Sequence, residues 1–213
     1  MIHARKYDGI RIYGNILKTN LRHQYPGPAL AALALLVLTR LIFNLNALES
    51  TAVAKPLEML MIWIGPALLV PVFGPEQNPE IRDVVRTRRI DYLQVCVLRI
   101  GYSALTVALL AALFTGLMKA GESQVLPYHL WGSICSALLL GAVGMAVAGI
   151  SGNTAAGFMA SMLYYLASYG MKNKLGVFSL FSMTGGRMTG KGWQLLAAVF
   201  LTVLTLAVMR HRK

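Results

Sequence analysis

Six long apolar runs follow one another along the chain, and its most polar stretch lies between the second and the third. The runs fall near 28–48, 56–73, 91–118, 129–150, 153–170 and 192–209. A helix needs about 20 residues to cross a bilayer core, with a range of about 17–25, so each run is long enough to span. The pattern predicts an all-α integral membrane protein of six transmembrane helices, forming a single domain over residues 1–213. Pro56 is expected to start the second span, since proline suits a first helical position. Ser151-Gly152 is all that joins the fourth to the fifth.

Two polar segments carry helical patterns of their own. In residues 9–23, Ile10, Tyr13, Leu17 and Leu21 share one face, and Arg11, Asn15, Lys18 and Arg22 occupy the other. This reads as an amphipathic helix lying in the membrane interface, the alternative being a disordered basic tail. Tyr25-Pro26-Gly27-Pro28 then turns the chain. Residues 74–99 hold four of the eight acidic residues (Glu76, Glu80, Asp83 and Asp91) and the arginines 82, 86, 88, 89 and 99. Asn78 can cap a short helix, Pro79 fits its first position, and Glu80 and Asp83 favour the positive end of its dipole. Ile81, Val84 and Val85 make one side of it apolar, while Arg82, Arg86 and Arg89 lie elsewhere. Two readings stay open: a charged loop that sets topology, or a docking helix on which a cytoplasmic partner pushes.

Composition strengthens the membrane reading. Of 213 residues 56% are hydrophobic and 13% charged, against about 25% charged in an average soluble domain. The net charge of +12 would suggest nucleic acid in a soluble protein. Here the basic residues cluster at the ends of apolar runs, where they set orientation and meet anionic lipid, so nucleic acid is not an expected partner. With the N-terminus, the central loop and the C-terminus on one side, 12 basic residues stand against 6 on the other. That imbalance predicts a multi-pass cell-membrane protein with both termini cytoplasmic. The first 25 residues or so are polar, so no cleavable signal peptide is expected.

Candidate chemistry is sparse. Cys96 and Cys135 sit inside apolar runs and read as small buried hydrophobes rather than a disulfide or metal pair. No metal site is expected. Arg40, inside the first run, needs a partner; reaching outward it meets Glu49 or Glu58, which makes Arg40 and Glu58 candidates for an intramembrane ion pair or a substrate contact. Gly144, Ala148, Gly152 and Ala156 form a stripe of small residues suited to close helix packing. Residues 185–191 fit the spacing GxxxxGK, but Gly192 stands where a phosphate loop needs Ser or Thr, and no strand precedes it. Gly149-Ile-Ser151-Gly152 is similar to the serine motif of rhomboid proteases, yet no histidine is expected inside a span to act as its base. Residues 171–191 mix Val177, Phe178, Leu180 and Phe181 with glycines and are expected to dip into the outer leaflet.

Taken together, these features resemble the permease subunits of ABC-2 type (type V) ABC transporters. Glu76, Glu80 and Arg86-Thr87-Arg88-Arg89 fit the acidic stretch, short helix and Arg-rich approach that precede the third span in that family. Residues 151–157 look like its tight turn between spans four and five, and 171–191 look like its outer re-entrant region. The resemblance covers essentially the whole chain. It implies a bacterial-type permease without an ATPase of its own, exporting a lipid, hydrophobic drug or short peptide. Two copies, identical or related, would pair with two cytoplasmic ABC ATPase subunits that bind ATP and Mg. The coupling residues it implies are Glu76, Glu80, Ile81, Asp83, Val84, Val85, Arg86, Arg88 and Arg89. The competing readings are a non-transporting membrane scaffold or immunity protein and, further off, an intramembrane enzyme.

Overall fold

The structure is a computed structural model; it describes residues 19–20, 22, 25–77, 92–171, 174–186 and 190–211. Helix α1 runs Pro26–Ile42, α2 Ser50–Met59, α3 Ile64–Leu69, α4 Tyr92–Ala120, α5 Pro127–Ser151, α6 Thr154–Gly170 and α7 Lys191–His211. The described residues contain no strand. Among the described residues, four helical segments, Ser50–Gly74, Gln94–Ala120, Pro127–Ser151 and Lys191–Arg210, are long and apolar enough to cross a membrane. They mark the chain as a membrane protein. α1 and α6 have 17 residues each. The amphipathic helix expected over 9–23 lies outside the described residues apart from 19, 20 and 22. The expected docking helix, with Glu80, Ile81, Asp83, Val84, Val85, Arg86, Arg88 and Arg89, lies outside them altogether, while Glu76 falls in a 3₁₀ stretch.

Two boundaries differ from those expected, each for a local reason. α1 stops at Ile42 rather than near 48. Asn44 Oδ1 accepts a hydrogen bond from the Asn46 backbone N–H at 3.3 Å, and Ala47 adopts a left-handed φ of 51°. Asparagines offer the backbone this alternative to helix. The second run starts at Ser50, so Pro56 lies inside the helix instead of opening it. The run is also broken: a 3₁₀ turn at Met61–Trp63 separates α2 from α3, and a second, Val70–Gln77, follows. Pro56, Pro66, Pro71 and Pro75 each lack the N–H that would continue an α-helix. One carbonyl in this broken stretch finds another donor, as the Tyr165 hydroxyl donates to Met59 O at 3.0 Å.

Ser50–Gly74 and α5 form the buried middle of the bundle, while α4 and α7 lie towards its periphery. Glycines let backbones meet there. A Cβ on Gly65 would collide with the Ala137 carbonyl, and one on Gly141 would lie 2.8 Å from Gly65 C. α5 and α6 approach in the same manner: a Cβ on Gly157 would lie 2.6 Å from Gly144 O and 2.7 Å from Ala148 Cβ. The small-residue stripe is thus a packing seam, but its last members differ from those expected. Gly152 caps α5 with φ 68°, and Gly157 rather than Ala156 continues the contact. Asn153 then caps α6, its Oδ1 accepting from the Ala155 N–H at 2.8 Å. Cys96 and Cys135 are both buried, as expected.

Candidate functional site

At the opposite end of the bundle from that turn, charge is buried. Glu58 stands eight residues into the second segment, about 12 Å along it at 1.5 Å per residue. Its carboxylate is fully buried, and both oxygens are used. Oε1 accepts from the Met183 N–H at 2.8 Å and from Lys191 Nζ at 3.1 Å. Oε2 accepts from the Thr184 N–H at 2.8 Å and the Thr184 hydroxyl at 2.7 Å. Lys191, the first residue of α7, also donates to Ser136 Oγ on α5 at 2.7 Å and to Leu180 O at 3.3 Å. The Ser136 hydroxyl donates a hydrogen bond to Gln194 Oε1 at 3.1 Å. The Gln194 amide donates in turn to Val177 O at 3.1 Å and Ser179 O at 2.8 Å. Burying two charges carries a large desolvation penalty, offset only when every lone pair and proton finds a partner. Here four acceptor contacts on Glu58 and three donor contacts on Lys191 supply that.

The node joins α2, α5 and α7 to residues 174–186, which turn back into the bundle between α6 and α7. Leu180, Phe181 and Met183 are buried in it. Non-helical backbone buried among helices must have its polar groups satisfied. The side chains of Glu58, Lys191 and Gln194 do that here, joined by the Tyr164 hydroxyl, which donates to Phe178 O at 2.7 Å. Phe181 meets the rings of Tyr165 and Tyr169 edge-on, at 5.2 and 5.5 Å. Tyr165 also packs on Trp63 at 5.1 Å. Trp63 in turn lines an apolar groove of about 820 Å³, with Gly27, Ala31 and Leu35 of α1, Ala67 of α3 and Phe158 of α6.

No family model matches the chain, and no curated protein or solved structure matches it. The reading of the site therefore rests on its geometry.

Of the two residues expected to form an intramembrane ion pair, Glu58 forms one, but with Lys191 and not Arg40. Arg40 sits in the last turn of the shortened α1, exposed, its guanidinium 3.4 Å from Asn46 Oδ1. Lys191 was expected in an outer loop; it opens α7 and is buried. Ser136, Thr184 and Gln194 carried no signal of their own. A lone glutamate between Leu57 and Met59 did carry one, because a carboxylate inside an apolar run demands a cation. The GxxxxGK spacing masked the answer by making Lys191 look like part of a false phosphate loop.

The node is not arranged for nucleophilic chemistry. A serine needs a base with a free lone pair, whereas Lys191 acts as a donor in all three of its contacts and Ser136 hydrogen-bonds Gln194. The rhomboid-like Ser151 is exposed and donates to Val147 O at 2.7 Å. His129 does lie inside a helix, in the first turn of α5 and buried. It is 22 residues, or about 33 Å along that helix, from Ser151. Among the described residues no group of three His, Cys, Asp or Glu gathers to hold a metal.

Proposed function

We propose that this chain is the permease subunit of an ABC-2 type exporter, with ATP and Mg bound and hydrolysed on separate cytoplasmic subunits. The observation that carries the reading is the segment 174–186, which returns into the bundle between α6 and α7 where such permeases have a re-entrant region. In this reading α1 and α6 also cross the membrane. Their 17 residues lie at the lower limit for a span of about 17–25, which gives six spans with the termini in the cytoplasm. The apolar groove beside Trp63 supports a hydrophobic or amphipathic cargo such as a lipid, drug or short peptide. A second permease, identical or related, completes the pathway. Residues 79–89 transmit the closure of the ATPase pair as a shift between conformations.

The test is purification of the tagged chain from its native membrane in mild detergent, followed by an ATP hydrolysis assay. Wild type brings down an ATPase. Val84→Asp puts a charge among the apolar residues of the expected docking segment, and loses that ATPase while inserting normally, because an unpaired charge in an apolar contact is unfavourable. A chain that purifies without any ATP hydrolysis is a membrane scaffold or immunity protein instead.

A further inference from the structure

We propose that residues 176–186 are a gate, and that the Glu58–Lys191 pair is the latch that holds it shut. The inference rests on the transport reading for its purpose, though not for its test. The hydrogen bonds within the segment form only short turns, such as Phe178 N–H to Leu175 O at 3.0 Å and Gly186 N–H to Met183 O at 2.9 Å. Its attachment to the bundle runs through side chains of the spans, and most of these converge on one carboxylate and one ammonium. Glu58 alone accepts three donors from the segment.

Three features favour a docked state that is one of two arrangements over a fixed plug. Glycines with positive φ stand at or beside the ends of the segment, Gly176 at 53°, Gly186 at 71° and Gly190 at 115°, and glycine has access to more backbone conformations than any other residue because it lacks a Cβ. The Ser179 hydroxyl is buried in the docked state without a hydrogen-bond partner, a penalty that opening removes. The ring series Phe181, Tyr165, Trp63 runs from the segment to the wall of the groove. Opening the gate and reshaping the groove are therefore one motion. When the segment leaves, Glu58 loses three of its four contacts and needs water in their place, so the open state is a wet one. Loss of either charge weakens the closed state selectively.

Two native cysteines report on this motion. Cys135 is buried on α5, one turn beyond Gly132, whose Cα faces Met183 and Lys191. Cys96 is buried in a separate cluster with Leu69, Phe73 and Met145. In open membranes a water-soluble maleimide is added to Cys96→Ala, which keeps only Cys135, and to Cys135→Ala, which keeps only Cys96. Both thiols react slowly in the otherwise native chain. Adding Glu58→Gln or Lys191→Met makes Cys135 react about tenfold faster, since labelling follows the population of the open form, and leaves Cys96 protected. Arg40→Ala changes neither. Unchanged Cys135 labelling overturns the latch, and so does parallel labelling of Cys96, which means general loosening. If the charge variants fail to reach the membrane, Thr184→Val removes one donor and keeps both charges. An increase of about twofold at Cys135 is then expected on the same grounds, and no increase overturns the proposal. The assay needs no ATPase, so the latch and the transport reading fail separately.

Discussion

The α5–α6 seam and the Glu58–Lys191 node hold neighbouring parts of one bundle by opposite means. At the seam Gly144, Ala148 and Gly157 bring two helices to backbone contact, with no charge involved. At the node two full charges are buried, and every contact is a directed hydrogen bond. A seam of this kind fails by addition, when an atom is placed where none fits. A node fails by subtraction, when one partner leaves another stranded. The difference also separates roles. Close-packed glycines admit one arrangement, whereas a hydrogen-bonded cluster can exchange its partners for water.

The strongest way to break the comparison is Lys191→Met. Removing one member of a buried pair costs about 3–5 kcal/mol, so the thermal unfolding midpoint in detergent drops sharply. Adding Glu58→Met recovers only part of it, because the Met183 and Thr184 N–H groups still lack their acceptor. Full recovery means that the segment does not depend on Glu58.

Next comes Gly65→Ala, a single methyl at the glycine contact between α3 and α5. Overpacking costs about 1–3 kcal/mol, and the upper end is expected here because the obstacle is backbone and cannot rotate away. The same unfolding measurement checks it. A loss well under 1 kcal/mol means that α3 and α5 stand further apart than described. The smallest effect belongs to Asn153→Ala, which removes the cap of α6 and costs about 1 kcal/mol. Cys135 labelling should not change in that variant, since the turn is remote from the node; a change there sharpens the comparison into a coupling between the two ends.

The helices were legible because lipid demands long apolar runs, and four of the six expected segments lie within two residues of a described helix. The first ends six residues early, at Ile42, and the second is broken where four prolines act on the backbone locally. Pro56 read as a start because proline is commonest there, but the helix begins six residues earlier, at Ser50. The node was half legible. In the sequence Glu58 stands out only as a partner that Arg40 could reach, while the partner it has, Lys191, lies 133 residues away, beyond the reach of any spacing rule. Ser136 and Gln194 become visible only once three helices converge. Arg40 drew attention by its place in an apolar run, yet the asparagines that end α1 leave it in the last turn, where a cation suits the helix dipole.

The Gly152-Asn153 turn has a consequence for how the protein is made. α6 has 17 residues and carries Ser161 and Ser168 among its apolar side chains, so by itself it is a weak candidate to partition from a translocation channel into lipid. The turn ties it to α5, whose run is longer and more apolar, and the Ser161 hydroxyl donates to Leu140 O at 3.2 Å across the seam. In the proposed six-span reading, α5 carries α6 into the bilayer as a paired hairpin during synthesis.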